Sequence, residues 1–286
     1  MLIFHFAHDL QTWLNRVPAR KEQIGFVPTM GALHKGHLSL VRKASEECSL
    51  VVVSIFVNPT QFNEEKDYQL YPSTLTDDIR LLASISNCIL YCPSINEIYP
   101  QGTTLQQTYP LGVLETVMEG KYRPGHFQGV CQVVDRLLQL VHPDHLYLGE
   151  KDFQQCLVIK KLLQYAGIEN QIVLHIESTI REDDGLAMSS RNRRLTDEQR
   201  IKAATIYQTM LSTERDLKSD SVEYTKEKGI LLLESAGFQV DYLEIADGKF
   251  LTPLTHIGNS ASIRVFIAAR LGEVRLIDNM EIHPAS

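Results

Sequence analysis

Residues 50–58, LVVVSIFVN, constrain the fold more than any other stretch. One serine interrupts a run of branched aliphatic and aromatic residues, so the segment has no polar face. A strand that is apolar on both sides must be covered on both sides, and that is the environment of a parallel sheet. IGFVPTM (24–30), CILYCP (88–93) and the start of HLYLGEKD (145–152) read as further short strands. The segments among them carry helical spacing: Leu38, Val41, Ala44 and Cys48 in one, and LTDDIRLLASIS in the next. Val130, Val133, Val134, Leu137, Leu138 and Val141 form one apolar face, and FQQCLVIKKLLQYAG is a helix closed by Gly167. Strands alternating with helices predict an α/β fold. In such sheets ligands collect beyond the carboxyl ends of the strands, where segments 28–37 and 149–155 fall.

Past residue 180 the texture changes. REDDGLAMSSRNRRLTDEQR is polar and loop-like, with a helix start at Thr196 to Gln199 and two helices expected after it. FQVDYLEIAD, SIRVFIAARL and VRLIDNMEI then read as three strands with little helix among them. The expected organisation is a Rossmann-like parallel sheet with helices on both faces over residues 1–180, followed by a smaller C-terminal α+β domain over 181–286, acting as a lid.

A formal net charge of -7 argues against general nucleic-acid binding, which needs a basic face, but leaves room for a small anionic ligand. The five cysteines are odd in number and contain no Cys-x-x-Cys pair, so reduced thiols are expected rather than a disulfide framework or zinc site. The N-terminal stretch lacks the basic start and long apolar run of a signal peptide. No run of about 20 apolar residues offers a membrane span, and a cytoplasmic location is expected.

Five segments can carry chemistry. PTMGALHKGH places His34 and His37 around Gly36 at the opening of a helix. Backbone N–H groups there attract anions, and imidazoles can donate to phosphate oxygens. The plain alternative is two solvent-facing histidines at a helix start. Asn58, Thr60 and Gln61 follow the 50–58 strand and suit a polar, uncharged group, or form a turn of Asn-Pro type. In LGEKDFQQ, Lys151 could neutralise phosphate. Asp152 could bind a ribose hydroxyl or, with Gln155, cap the helix. DGLAMSSRNRR, a mobile-looking loop, sets Ser189 and Ser190 beside Arg191, a pattern suited to gripping phosphate or simply a solvated basic loop. RPGHFQGV offers Arg123 as an anion contact, or a helix entry set by Pro124 and Gly125.

In this order, PTMGALHKGH, VSIFVNPTQF, Tyr71-Pro72, EIYP (97–100), RPGHFQGV, GEKDFQQ, DGLAMSSRN and RLIDN closely resemble the pantoate–β-alanine ligase (pantothenate synthetase) family of the nucleotidylyl-transferase superfamily. The resemblance covers nearly the whole chain. It implies joining of (R)-pantoate to ATP, giving pantoyl adenylate and pyrophosphate, then displacement of AMP by β-alanine. It implies that Met30, Gly31, Ala32, Leu33, His34, Lys35, Gly36 and His37 cradle ATP, together with Gly149, Glu150, Lys151, Asp152, Ile180, Met188, Ser189, Ser190 and Arg191. His34, His37 and Lys151 are the implied catalytic groups. Gln61 and Gln155 hold pantoate, and Gln61 also faces β-alanine. Mg²⁺ is implied with the triphosphate, and a homodimer as the assembly, with no nucleic-acid or membrane partner.

Ser73 departs from the family, which generally has arginine after Tyr71-Pro72, and the 63–70 segment differs as well. Asp77 and Asp78 are the acidic groups that could contact magnesium, with the register between them open. Two readings compete with the ligase. A related transferase moving AMP or CMP onto a phosphorylated acceptor would want a basic acceptor pocket, where this chain has glutamines. An inactive nucleotide-binding module would have lost a phosphate-contacting group, and none is missing.

Overall fold

The computed structural model describes residues 1–16, 23–258 and 262–283. Two compact units emerge. The first comprises Met1–Glu115, Arg123–Glu150 and Gln155–Ser178; the second comprises Thr116–Tyr122, Lys151–Gln154 and Thr179–Ser286. Two short segments that precede residue 180 thus group with the C-terminal part.

The first unit is built on six parallel strands: β1 (Ile3–Phe4), β2 (Ile24–Thr29), β3 (Leu50–Ile55), β4 (Cys88–Tyr91), β5 (His145–Gly149) and β6 (Val173–Glu177). Their order is β1-β4-β3-β2-β5-β6, every pair parallel. From β2 the chain first builds outward through β3 and β4, then returns to place β5 on the other side. The topological switch point therefore lies at β2 and β5, where open α/β sheets bind ligands. The run 50–58 splits as its chemistry requires. Leu50–Ile55 forms the ladder, with Leu50 to Ser54 all buried. Asn58 then caps a short 3-10 turn at Pro59–Gln61. Helix Lys35–Glu47 packs Leu38, Val41 and Ala44 into a core shared with Val27, Val51, Val53, Leu90 and Tyr147. β6 and the two-residue β1 escape the sequence reading: one is an edge strand with Val173 exposed, the other too short to show a period.

The second unit centres on an antiparallel sheet of β7 (Gln239–Asp247), β8 (Ile263–Leu271) and β9 (Val274–Ile282). Ile206, Met210 and Leu233 pack with Leu243, Ile245, Val265, Ile267 and Leu276. Three helices precede the sheet: Asp197–Ala203 at the expected helix start, then Thr205–Asp216 and Val222–Ser235. The first opens as its sequence predicts, with Thr196 Oγ1 accepting from Gln199 N and Gln199 Oε1 from Thr196 N. Segment 116–122 joins this unit through Glu119, whose carboxylate pairs with Arg275 at 2.7 and 2.8 Å and accepts from Tyr242 Oη at 2.8 Å. No helix among the described residues is long and apolar enough to cross a membrane.

Candidate active site

Strands β3, β2 and β5 lie side by side, so the segments leaving their carboxyl ends gather along one edge of the sheet. After β2 the backbone turns sharply through Gly31 (φ 81°) and Ala32 (φ 49°). Two successive left-handed residues, one carrying a Cβ, need support from their surroundings. Asp78 provides it. Its buried carboxylate accepts from Ala32 N at 2.9 Å and Leu33 N at 2.8 Å, and Thr74 Oγ1 donates to it at 3.1 Å. Thr29 Oγ1 adds a further brace, accepting from Gly31 N and donating to Ser54 O.

The turn delivers His34 to the cap of helix Lys35–Glu47. His34 Nδ1 accepts from Gly36 N at 3.2 Å, and His37 Nδ1 accepts from His34 N at 3.4 Å; the rings lie 4.0 Å apart between centroids. The two histidines therefore form a reciprocal cap, a role usually taken by Ser or Thr with Glu or Gln. A neutral imidazole that accepts at Nδ1 carries its proton on Nε2. Capping thus fixes both rings in the tautomer whose second nitrogen donates, at a helix N-terminus that favours anions. The plain alternative of two solvent-facing histidines gives way to two half-buried rings that cap the helix, each with Nε2 left as the nitrogen that donates.

At the end of β3, Asn58 is almost wholly buried and organises its own turn. Its Oδ1 accepts from Thr60 N, Thr60 Oγ1 and Tyr99 Oη, while Nδ2 donates to Gln61 Oε1 at 3.2 Å and Gly129 O at 3.1 Å. Gln61 Nε2 donates to Met30 Sδ, tying this turn to the end of β2. The Gln61 carbonyl accepts from His126 Nδ1 at 2.6 Å and Arg123 Nη2 at 3.1 Å. Since His126 Nδ1 donates, its Nε2 is the acceptor for Arg123 Nη1 at 3.1 Å. Gly129 is required here because an added Cβ would meet Thr60 O at 2.2 Å. RPGHFQGV is thus both a helix entry and the clamp on Gln61. Gly149, Glu150 and Gln155, in the part of the chain leaving β5, are all half-buried.

The second unit carries the remaining candidates. The Lys151 side chain is 16 % exposed, its Nζ lies 3.5 Å from Asp152 Oδ1, and its carbonyl accepts from Asn279 Nδ2 at 2.8 Å. The segment read as a mobile loop is hydrogen-bonded throughout. Arg181 bridges Ala187, Met188 N donates to Ile180 O, and Glu182 N donates to Leu186 O. Ser189 Oγ accepts from Arg191 N and caps the 3-10 helix Ser190–Arg194, and Asn192 Nδ2 donates to Ala187 O. Met188 and Ser190 are buried, Ser189 and Arg191 half-buried, and Ile180 exposed. Much of the polarity that suggested a loop is used in these local hydrogen bonds, which composition alone does not reveal.

Asp77 pairs with Arg80 on the surface, whereas both oxygens of Asp78 hold the turn after β2. Among the described residues no group of three or more His, Cys, Asp and Glu side chains could hold a metal ion. Asp78 and Asn279 hold backbone groups distant in sequence, and Asn58 adds Tyr99 and Gly129 to its own local turn; nothing local predicts those distant partners.

Polar side chains past the strand ends, and a histidine-capped helix at the switch point, define an α/β fold of the ligand-binding class, with a helix N-terminus that favours anions. The pantoate–beta-alanine ligase family profile matches residues 2–281, and the chain belongs to that family. A pantothenate synthetase of Bacteroides thetaiotaomicron is 43 % identical over 282 residues, 98 % of this chain and 99 % of that protein. The crystal structure of the pantothenate synthetase from Thermus thermophilus superposes with a TM-score of 0.90 at 40 % identity, covering 99 % of this chain and 100 % of that one. The Francisella tularensis ligase, solved in complex with "Beta-gamma ATP" and β-alanine, matches at a TM-score of 0.83 and 40 % identity, covering 98 % and 97 %.

Proposed function

We infer that this chain condenses (R)-pantoate with β-alanine to give pantothenate, converting ATP to AMP and pyrophosphate. The observation that carries the reading is the reciprocal His34–His37 cap directly after β2, in a chain matching the ligase family over residues 2–281. ATP and β-alanine in the Francisella tularensis structure support the same substrates here.

A carboxylate becomes an acyl donor only when one of its oxygens leaves well. Pantoate's carboxylate oxygen attacks the α-phosphorus of ATP, the bond to the bridging oxygen breaks, and pyrophosphate departs. The amine of β-alanine then attacks the acyl carbon, and AMP leaves with the oxygen that joined it to pantoate. The first step needs alignment of two anions and cancellation of growing negative charge. We assign that work to His34 and His37, donating through Nε2, and to Lys151. ATP is held by Met30 to His37, Gly149 to Asp152, Ile180 and Met188 to Arg191. Gln61, clamped by Arg123 and His126, holds pantoate and faces β-alanine, with Gln155 as the second pantoate ligand. Mg²⁺ accompanying ATP would be held chiefly by the substrate's phosphates and would supply positive charge against the charge that builds there. No carboxylate of the chain is assigned to it. By resemblance to the family the enzyme is a cytoplasmic homodimer.

The test is AMP formation with substrates omitted in turn. AMP should form only when pantoate, β-alanine and ATP with Mg²⁺ are all present, while pantoate with ATP and Mg²⁺ alone should release pyrophosphate in one burst. AMP formed equally well without pantoate would overturn the assignment. His37→Ala and Lys151→Ala should each lower pyrophosphate release by about 10²-fold or more, as for a lost oxyanion donor.

A further inference from the structure

The family's residues explain what touches substrate, but not what sets Lys151 and the serine–arginine segment in place. Both lead to one dipeptide on β9. Asn279 is buried, and its backbone and side chain face four different partners. Its Nδ2 donates to Lys151 O at 2.8 Å, and its Oδ1 accepts from Arg264 Nη1. Its N–H donates to Asp278 Oδ1 at 2.8 Å, and its carbonyl accepts from Arg181 Nη2 at 3.3 Å. Asp278, equally buried, pairs with Arg181 through both oxygens, at 2.6 and 3.1 Å. Arg181 in turn lies 4.6 Å over the Tyr207 ring, donates to Gly185 O, and bridges Ala187, two residues before Ser189. Arg264 also stacks 4.0 Å over Phe153, two residues after Lys151.

We propose that Asn279 is a positioning residue of the ATP site. Its side-chain amide fixes the backbone of Lys151, while Asp278 and the Asn279 carbonyl fix Arg181 and so the start of the segment carrying Ser189, Ser190 and Arg191. The proposal rests on the assignment of Lys151 as a phosphate ligand made above. The amide suits the place because it must donate to a carbonyl and accept from a guanidinium at once. A carboxylate could only accept, and an aliphatic side chain could do neither.

The chemistry sets the test. Asn279→Asp keeps the shape and the acceptor for Arg264 but loses the donor to Lys151 O. It should lower kcat/KM for ATP by about 10- to 100-fold, as expected for a catalytic group displaced by about an ångström. The KM for pantoate should stay within about twofold, because only the ATP site is disturbed. The decisive readout is a cycle with Lys151→Ala. If Asn279 acts through Lys151, the double variant loses no more pyrophosphate release than Lys151→Ala alone. Losses that multiply would overturn the proposal, as would an Asn279→Asp enzyme with parent kcat/KM for ATP. If Lys151→Ala itself retained parent activity, the assignment of Lys151 would fail, and the proposal with it. Should Asn279→Asp not fold, Asn279→Ser, smaller and still able to donate, carries the same cycle. It should show a smaller loss of the same non-additive kind, and an additive loss would again refute.

Discussion

Replacing Asp78 by alanine should damage both the stability of the first unit and its use of ATP. The carboxylate accepts two backbone N–H groups, from Ala32 and Leu33, on residues with no exposed surface. A hydrogen bond to a charged group contributes about 1.5–3 kcal/mol, so losing this pair should cost on the order of 3–6 kcal/mol. That is a large share of the roughly 5–15 kcal/mol typical of a folded domain. The residues released include Ala32 at positive φ, so the turn should relax and carry His34 with it. A shift of about an ångström there would lower adenylate formation by about 10²-fold. Asp78→Asn, with one acceptor oxygen left, should fall in between. Urea unfolding followed by circular dichroism should show the midpoint lowered by about 1.5–3 M, given a slope of roughly 2 kcal/mol/M. An Asp78→Ala protein within about 0.5 kcal/mol of the parent, altered only in its Mg²⁺ requirement, would refute this reasoning. It would return Asp78 to the metal role considered from sequence.

Gly129→Ala would drive a Cβ against Thr60 O, a backbone atom 2.2 Å away, forcing the Asn58–Gln61 turn from its helix. The expected cost is about 1–3 kcal/mol, with a raised KM for pantoate and little change in KM for ATP. At the start of β5, His145 Nδ1 lies 2.9 Å from His175 Nε2, a bond that needs one of the two nitrogens unprotonated. Burial, outweighing the attraction of Glu47 and Glu177, lowers the His175 pKa below its usual 6.5; His145 and Lys43 add to the lowering, and Tyr147 stacks on its ring. The unfolded chain therefore binds more protons, and this stability is present above about pH 6.5 and lost as pH falls through the lower folded value. His175→Gln should flatten the dependence of the urea midpoint on pH between about 7.5 and 5.5. An unchanged slope would remove His175 from the account.

Much of the fold was legible because the sheet is covered on both faces. Burial of that kind writes continuous runs such as 50–55, and helix Lys35–Glu47 shows its apolar spacing just as plainly. β6 was not legible, since an edge strand with Val173 and Ile176 exposed leaves a mixed pattern in VLHIE. At the site, what could be read was local chemistry: glycine with histidine at a helix opening, Asn before Pro, serine before arginine. What could not be read was support from a distance. Asp78 holds a turn 46 residues earlier, and Asn279 holds a carbonyl 128 residues earlier. Only folding brings such partners together, so their identity is a property of packing rather than of any segment. The loop-like segment 184–194 also held a 3-10 helix, Ser190–Arg194, which its polar composition did not show because a polar segment can satisfy its own backbone.

The fate of the pantoate carboxylate oxygens tests the central claim most directly. With pantoate carrying ¹⁸O in its carboxylate, attack on the α-phosphorus and later release from the acyl carbon should transfer one labelled oxygen to AMP, seen by mass spectrometry or as a shifted ³¹P resonance. Label appearing instead in inorganic phosphate, with ADP as the nucleotide product, or AMP formed without label, would contradict an acyl-adenylate route.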